Sequence, residues 1–562
     1  MYLPKSEPEI ADEARKLRDA CMQTQQDRAA FYDLMQKYYL FGSDTIVSDY
    51  NKILSHVDTV SAFIFAPGGT RLYIDMPTMK GPAGEAMEQM GDRASRELNS
   101  QWHGDGHDLM TMDTVTSSLV YGTMIEKDLW QRKRGGPGIA SYQITPYNFG
   151  VLREDVADLD RQEAMCHQFF YSADELWRIL KLMPNGRALW DRITFQPSAE
   201  AEPTMNTLQT VITASQAQGS TLTGRSTPNT ALPAGLFRPV IVQDVARAYE
   251  IWVWDDMEDD YRILTLIEPD VLLWNEPNFY LPRDANNDAG HPFSKFTPWP
   301  VSEFIWGMSE VWPVMLLQGW NDSTIKDIQK LQKLRIKPPI AISGDMGISD
   351  ERGMAAMWDP GSMMKGDQGA KIEKLVPDMP DDVFLEPDKI DAMFSDMSGM
   401  KGILRGEGVP QVRGEQHAQL VARFAGARVN KKALAVEQGL IDSCNTKFRL
   451  LRRYDKTRML TDTGMEFVMD QLHASATVKV DSHSHSPIFA GDQLLEATEA
   501  LKIGAIDKSD WLEMSHLPGK ERLKAKARKR DEAHAKMQEQ LMQDPKIRDA
   551  VRKKQAMAGG KG

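Results

Sequence analysis

The residue types that do chemistry cluster in only a few places along this chain. His103-Gly104-Asp105-Gly106-His107-Asp108 puts four potential metal ligands within six residues, a set able to hold a divalent ion. The same residues also make a polar turn between two helices, capped by Asp105 or Asp108, and that is the reading adopted. The acidic run Asp255-Asp256-Met257-Glu258-Asp259-Asp260 would attract Mg²⁺ or Ca²⁺, yet it also suits a solvated hairpin tip. Asp481-Ser482-His483-Ser484-His485 is a similar weak metal candidate in a loop. There is no GxxxxGK[ST] phosphate loop, HExxH, GxSxG elbow or strand-linked GxGxxG. No catalytic residue, metal ligand set or cofactor is therefore assigned.

The most telling pattern is cationic. Lys326, Lys330, Lys333 and Lys337 recur at spacings of 4, 3 and 4 in a segment with helical periodicity. Leu317, Trp320, Thr324, Ile328, Leu331 and Leu334 fall on another side, about 200° away. Such a helix packs by its apolar side and offers stacked ammonium groups on the other. Lysine suits a phosphate backbone as a point charge that reads no sequence. A wet, charged surface is the plain alternative. Basic residues gather again at Arg449, Arg452, Arg453, Lys456 and Arg458, and from Lys520 to Arg530.

The elements that must position these groups follow from period and punctuation. Pro8 to Phe41 reads as one helix closed by Gly42, followed by helices at about 47–66, 83–101 and 107–121. From Thr123 the period falls to two, predicting strands over 123–131, 140–145 and 163–171, broken by Gly135-Gly136-Pro137-Gly138. Ser172 is a plausible N-cap for a helix over 172–183. Residues 197–233, rich in Ser, Thr, Ala, Gln and Gly, read as a flexible insertion. A hairpin over 247–267 and an irregular stretch over 278–300 follow.

The second half reads as a helix over 309–337 capped by Ser309, then a Pro/Gly-bounded segment with strand-like pieces at 339–342 and 371–376. A helix near 388–404 comes next, striped with Ile390, Met393, Met397, Met400 and Leu404. A very long helix spans about 415–454, with Val429, Ala433, Val436, Leu440, Cys444, Phe448 and Leu451 on one face. Gly426 and Gly439 are its natural bends.

At 562 residues, 41% hydrophobic and 26% charged, the chain has a globular composition and room for about three or four domains. Its net charge of −13 disfavours broad coating of nucleic acid. From Glu415 to Gly562, however, 27 basic and 20 acidic residues give +7, which leaves −20 on the first 414. Any DNA contact is expected to be local. Three scattered cysteines without a CxxC pair fit a reducing compartment. No signal-peptide pattern or membrane-spanning apolar run is expected, and no membrane partner.

The element order resembles that of the portal proteins, or head-to-tail connectors, of tailed bacteriophages, nearest to those of short-tailed phages. Tyr38-Tyr39-Leu40-Phe41-Gly42 followed by Tyr50-Asn51-Lys52-Ile53 looks like the family's N-terminal helical entry. Ser118-Leu119-Val120-Tyr121-Gly122-Thr123-Met124 with Trp130 looks like its helix-to-strand passage, and Ile144-Thr145-Pro146-Tyr147-Asn148-Phe149 like the turn after it.

The resemblance implies an α+β, predominantly helical fold with wing, stem, clip and crown architecture forming a ring. Residues 1–305 would be the wing, 309–337 and 388–404 the stem helices, and 338–387 the clip. Residues 405–414 would be the tunnel loop, 415–489 the long kinked helix returning to the wing, and 490–562 the crown. The second stem helix is short and carries Gly399 and Gly402.

The family forms a ring, typically a dodecamer, at one capsid vertex of the virion, assembled in the host cytoplasm. It conducts double-stranded DNA during packaging and ejection and has no enzymatic activity. Its implied partners are the terminase large subunit, scaffold and major capsid proteins and tail adaptor proteins. Lys326, Lys330, Lys333, Lys337, Arg405 and Arg413 are the expected DNA-channel residues. Another head-completion or tail-tube protein is the alternative function, and a metal-dependent nucleic-acid enzyme a remote one.

Overall fold

Strong helix formers between residues 7 and 41 do form helix, but in two pieces. The computed structural model describes residues 7–197, 244–336, 340–343, 371–374, 385–398, 427–480, 498–503 and 511, apart from short gaps at 44–47, 49, 66–69, 78–81, 134–135, 283–289, 462–463 and 474. Helix α1 (Glu7–Cys21) and helix α2 (Gln25–Phe41) are separated by a tight turn at 22–24. The reason is that they serve different cores. Ile10, Ala14, Leu17 and Cys21 of α1 pack on a large sheet, whereas Tyr32 and Met35 of α2 join the main helical core. Gly42 closes α2 in the left-handed conformation expected of a C-cap glycine.

The next helices, α3 (Lys52–Ile64), α4 (Pro82–Gly104) and α5 (His107–Tyr121), match the sequence periods. Between α3 and α4 lies strand β1 (Leu72–Asp75). The Asn51 side chain caps α3, accepting from the Leu54 amide at 3.1 Å.

After α5 the chain becomes a set of antiparallel sheets. Strands β2 (Met124–Lys133) and β3 (Gly136–Ile144) pair over nine residues, so Gly136-Pro137-Gly138 lies inside β3 rather than breaking it. A six-stranded sheet follows. It contains β4 (Phe149–Val151), β5 (Ala164–Ser172), β6 (Gln196–Pro197), β7 (Asp244–Asp255), β8 (Asp260–Ile267) and β9 (Val271–Pro277), in the order β4-β5-β7-β8-β9 with β6 beside β7. Helix α6 (Ala173–Leu180) starts at Ser172, whose hydroxyl accepts from the Glu175 amide at 3.3 Å, and α7 (Gly186–Trp190) packs beside it. The stretch expected to be irregular over 278–300 contains β10 (Phe293–Phe296), which pairs with β2.

The expectation of a predominantly helical, wing–stem–clip–crown ring architecture is therefore corrected. The molecule is mixed α/β, about 53% helix and 22% strand, with several multi-strand antiparallel sheets. The sheets were undercounted because β9 and β10 lie in segments rich in Pro, Asn and aromatics, whose alternation is weak, and are held by long-range pairing.

The second half begins with helix α8 (Val311–Ile336). Strands β11 (Ile340–Ser343) and β12 (Lys371–Lys374) then pair antiparallel, and helix α9 (Glu386–Ser398) packs against α8. Helix α10 (Ala427–Tyr454) runs through the main core. All seven residues of its apolar stripe, from Val429 to Leu451, are buried. At Gly439 a Cβ would lie 2.5 Å from the Lys295 carbonyl oxygen, so glycine here permits the close approach of β10. The short pair β13 (Met459–Leu460) and β14 (Glu466–Phe467) follows, and β15 (Thr477–Val480) returns to pair with β1. On α9, Ile390 is buried as expected, but Phe394 joins it on the packed face while Met393 and Met397 are exposed.

Residues 198–233 of the expected insertion, Met400, Leu404, the 405–414 loop and the helix start at 415–426 lie outside the described residues. So do the 481–485 loop, Lys520 to Arg530, and all of 490–562 except 498–503 and 511.

Candidate functional site

Helix α8 is clamped at its start. The Glu310 amide donates to the Leu119 carbonyl at 2.8 Å, and the Val311 amide to the Ser309 hydroxyl at 3.1 Å. Ser309 thus caps the helix as its position predicts. The inward face is Val311, Val314, Gln318, Asn321 and Thr324, all buried. Gln318 replaces an apolar contact with a filled hydrogen-bond set. Its Oε1 accepts from the Lys52 amide at 3.0 Å, and its Nε2 donates to the Tyr50 carbonyl at 3.0 Å and to Asp322 at 2.8 Å. Burial raises Asp322 above the ordinary carboxylate range, against the hydrogen bonds from Ser48 and Gln318. Helix α9 is tied to the same corner: Lys52 pairs with Asp391 and lies 5.9 Å from the Phe394 ring.

The outward face has two zones. Trp312, Leu316 and Trp320, at intervals of four, are 46%, 79% and 43% exposed. Lys326, Lys330 and Lys333 follow, all exposed, with Lys330 donating to Asp327 at 3.1 Å. Lys330 comes about five helical turns after Trp312, so the two project in the same direction. One helix face is therefore apolar over its first half and cationic over its second. The sequence placed Trp320 inward with Thr324 and Ile328; the structure turns it outward, because Gln318 and Asn321 occupy the buried face. The apolar row was missed for that reason, although its 4-residue spacing was visible. Lys337, Arg405 and Arg413 lie outside the described residues.

Charges on α10 are placed quite differently. Lys447 is buried against Glu126 and Asp128 of β2, 3.1 Å from the latter, and Ser443 donates to Glu126 at 2.9 Å. Burial, reinforced by the Glu126 charge and only partly offset by Lys447, pushes Asp128 up to about 7. Burial works against the Lys447 charge, but the two carboxylates hold it above the ordinary lysine value. Further up the helix, Lys432 pairs with Glu310 at 2.6 Å, and His56 meets the other Glu310 oxygen at 3.2 Å. Burial alone would raise Glu310, but the hydrogen bond from His56 and the charge of Lys432 outweigh it and hold it below its usual value.

Two of the three sequence-level metal candidates, 103–108 and 255–260, lie among the described residues, and their side chains make local contacts. Asp108 accepts from the Trp102 indole at 2.7 Å and meets His103 at 2.6 Å, which makes 103–108 a polar junction between α4 and α5. In the β7–β8 tip, Asp255 accepts from the Met257 amide at 3.0 Å and Glu258 pairs with Arg262 at 3.1 Å. Among the described residues, no three His, Cys, Asp or Glu side chains converge as metal ligands would, and no helix is long and apolar enough to cross a membrane. All three cysteines are buried and free.

No family model and no curated protein matches the chain.

Proposed function

We propose that this protein is a phage portal protein: a non-enzymatic, self-associating protein at one capsid vertex that conducts double-stranded DNA during packaging and ejection. The observation that carries the reading is the outward face of α8. Large exposed apolar side chains in a row mark a surface that a protein partner covers. Exposed lysines further along the same face suit a polyanion that is held without sequence readout. A helix meeting a neighbouring subunit over its first half and DNA over its second has this composition. Two features of chain order agree with it: the antiparallel pair β11–β12 lies between α8 and α9, and α9 packs back on α8.

In this reading Lys326, Lys330, Lys333 and Lys337 belong to the channel wall, with Arg405 and Arg413 near it. The terminase large subunit docks first and tail adaptor proteins later, while scaffold and major capsid proteins surround the vertex. The test is a packaging assay with the four lysines replaced by Gln. The expected outcome is assembled particles that contain much less DNA or eject it poorly. Unchanged packaging and ejection would return the lysines to an ordinary solvated surface.

A further inference from the structure

Two of the three cysteines, far apart in sequence, are brought into one core. Cys21 ends the buried row of α1, after Ile10, Ala14 and Leu17, and Cys166 lies in the sheet that this row covers. Cys444 sits in the main helical core instead. The register of the sheet fixes the side on which Cys166 projects. It stands directly opposite Gly150 of β4 and Ile251 of β7, so the three share one face. Ala164, two residues earlier on β5, shares that face as well. Ala164, Cys166 and Ile251 all pack with the α1 row, so this is the face that α1 covers.

The end of α1 comes down on this face beside Cys166. A Cβ on Gly150 would lie 2.3 Å from the Cys21 carbonyl oxygen and 2.7 Å from Met22 Sδ, so glycine there lets the helix end approach the strand. The Cys21 thiol donates to the Ala164 carbonyl at 3.9 Å, which places its sulfur over β5. Opposed residues of an antiparallel pair have Cα atoms about 4.5–5.5 Å apart. Cys166 therefore starts one strand spacing from the backbone on which Cys21 rests, and a disulfide spans Cα atoms about 4.4–6.8 Å apart. Both thiols are buried, at 1% and 0% exposure. Burial pushes Cys21 up to about 12, and it pushes Cys166 well above the ordinary thiol value, with the neighbouring Cys21 adding to the rise. Neither is a standing thiolate at neutral pH. A small uncharged oxidant suits such a pair better than a bulky charged one.

From this placement we infer that Cys21 and Cys166 form a latent redox latch, which hydrogen peroxide closes into a disulfide that pins α1 to the sheet. In the first step one thiol sulfur attacks the peroxide O–O bond, giving a sulfenic acid and one water. In the second the other thiol sulfur attacks the sulfenic sulfur, forming the S–S bond and releasing a second water. Two thiols and one hydrogen peroxide thus give one disulfide and two waters, with sulfur oxidised and peroxide oxygen reduced. The bond would fall at a junction. Helix α1 packs in the sheet core and α2 in the main helical core, so a link at Cys21 fixes one side of the turn at 22–24 that joins them. Arg18, paired with Asp270 at 3.0 Å, already holds the same helix to the rim of the sheet without a covalent bond. The latch stands apart from the channel reading of α8 and does not require it.

The test treats the full-length protein with hydrogen peroxide at mildly alkaline pH, blocks the remaining thiols and digests without reductant for mass spectrometry. It is repeated on Cys21→Ala, Cys166→Ala and Cys444→Ala, with thermal melting checked for each. The expected result is a peptide linked through Cys21 and Cys166 in the unaltered chain and in Cys444→Ala, absent from the other two and reversed by a thiol reductant. Tryptic cleavage after Arg15, Lys16 and Arg18, which requires α1 to open, should slow at least roughly fivefold in the oxidised chain. The readout on the unaltered chain decides the matter even where a variant melts early. Thiols that stay reduced, that pass to sulfinic acid unpaired, or that pair instead with Cys444 or between copies would overturn the inference and leave two ordinary apolar core side chains. A linked peptide with unchanged cleavage would also overturn it, since the bond would then hold nothing shut.

Discussion

Helices α8 and α10 are of similar length and both carry lysines, yet the two treat them oppositely. On α10, Lys432 and Lys447 are buried and matched by Glu310, Glu126 and Asp128 from other elements. On α8, Lys326, Lys330 and Lys333 face solvent, and Lys330 pairs with its helical neighbour Asp327. The comparison teaches what each charge is for. A buried ammonium between carboxylates holds elements in register, and its loss is a stability event. A row of exposed ammoniums adds little to stability, beyond a few tenths of a kcal/mol from favourable placement near a helix C-terminus. Their alignment with an exposed apolar row is instead a property of a surface.

The contrast breaks most sharply at Lys447. Replacing it by Met leaves Glu126 and Asp128 buried without their counter-charge, and should cost about 3–5 kcal/mol in a denaturant titration. A loss below about 1 kcal/mol would show that the site is not a charge-matched anchor.

Gly439→Ala comes next. The new methyl group meets the Lys295 carbonyl and the Phe296 ring, so α10 or β10 must shift, at about 1–3 kcal/mol. Helix propensity alone would make the same change stabilising, so the sign decides whether close approach governs this position.

A pH series sharpens the picture of the buried carboxylates. Asp128 is raised from 3.8 to about 7, so between those values the native chain holds a proton that the unfolded chain has released. Stability contributed by Asp128 is complete below about pH 4 and is lost as pH rises towards 7, by up to about 1.4 kcal/mol per pH unit. Asp128→Asn should flatten that slope. Glu310 acts with the opposite sign, its contribution falling away in acid below its ordinary value of 4.5, outside most of this window. An unchanged slope in Asp128→Asn would contradict the assignment.

The smallest stability effects are expected on α8. Gln at Lys326, Lys330 and Lys333 should change unfolding free energy by no more than about 0.5 kcal/mol in total, measured alongside the packaging assay. Ser at Trp312, Leu316 and Trp320 should likewise leave the isolated fold standing while abolishing association between copies, read by analytical ultracentrifugation. Association that survives these three substitutions would detach the apolar row from any interface.

The sequence foretold α10 well and α8 only in part, and the reason is visible in particular residues. The stripe from Val429 to Leu451 is uniformly apolar, so its period identifies the buried face without ambiguity. On α8 the buried face includes Gln318 and Asn321, and Gln318 is buried because the backbone at Tyr50 and Lys52 reaches it from more than 260 residues away. Periodicity cannot register such a bond, so Trp320 was drawn inward on apolarity alone. The lysine spacing was legible because nothing competes with charge for an exposed position. The same limit explains α9, where Phe394 displaces Met393 and Met397 from the packed face, and β10, whose partner β2 lies about 170 residues earlier. At 103–108 Trp102 and His103 both engage Asp108 between α4 and α5, but the expected capping by Asp105 or Asp108 is not what is seen: α5 starts after Gly106, with no side-chain cap.

The most direct test of the portal reading is particle averaging of the purified full-length protein by electron microscopy. The account predicts closed multi-copy particles with an axial opening wide enough for duplex DNA, and α8 turned towards that opening. Single copies at every protein concentration, or closed particles with no opening, would contradict it.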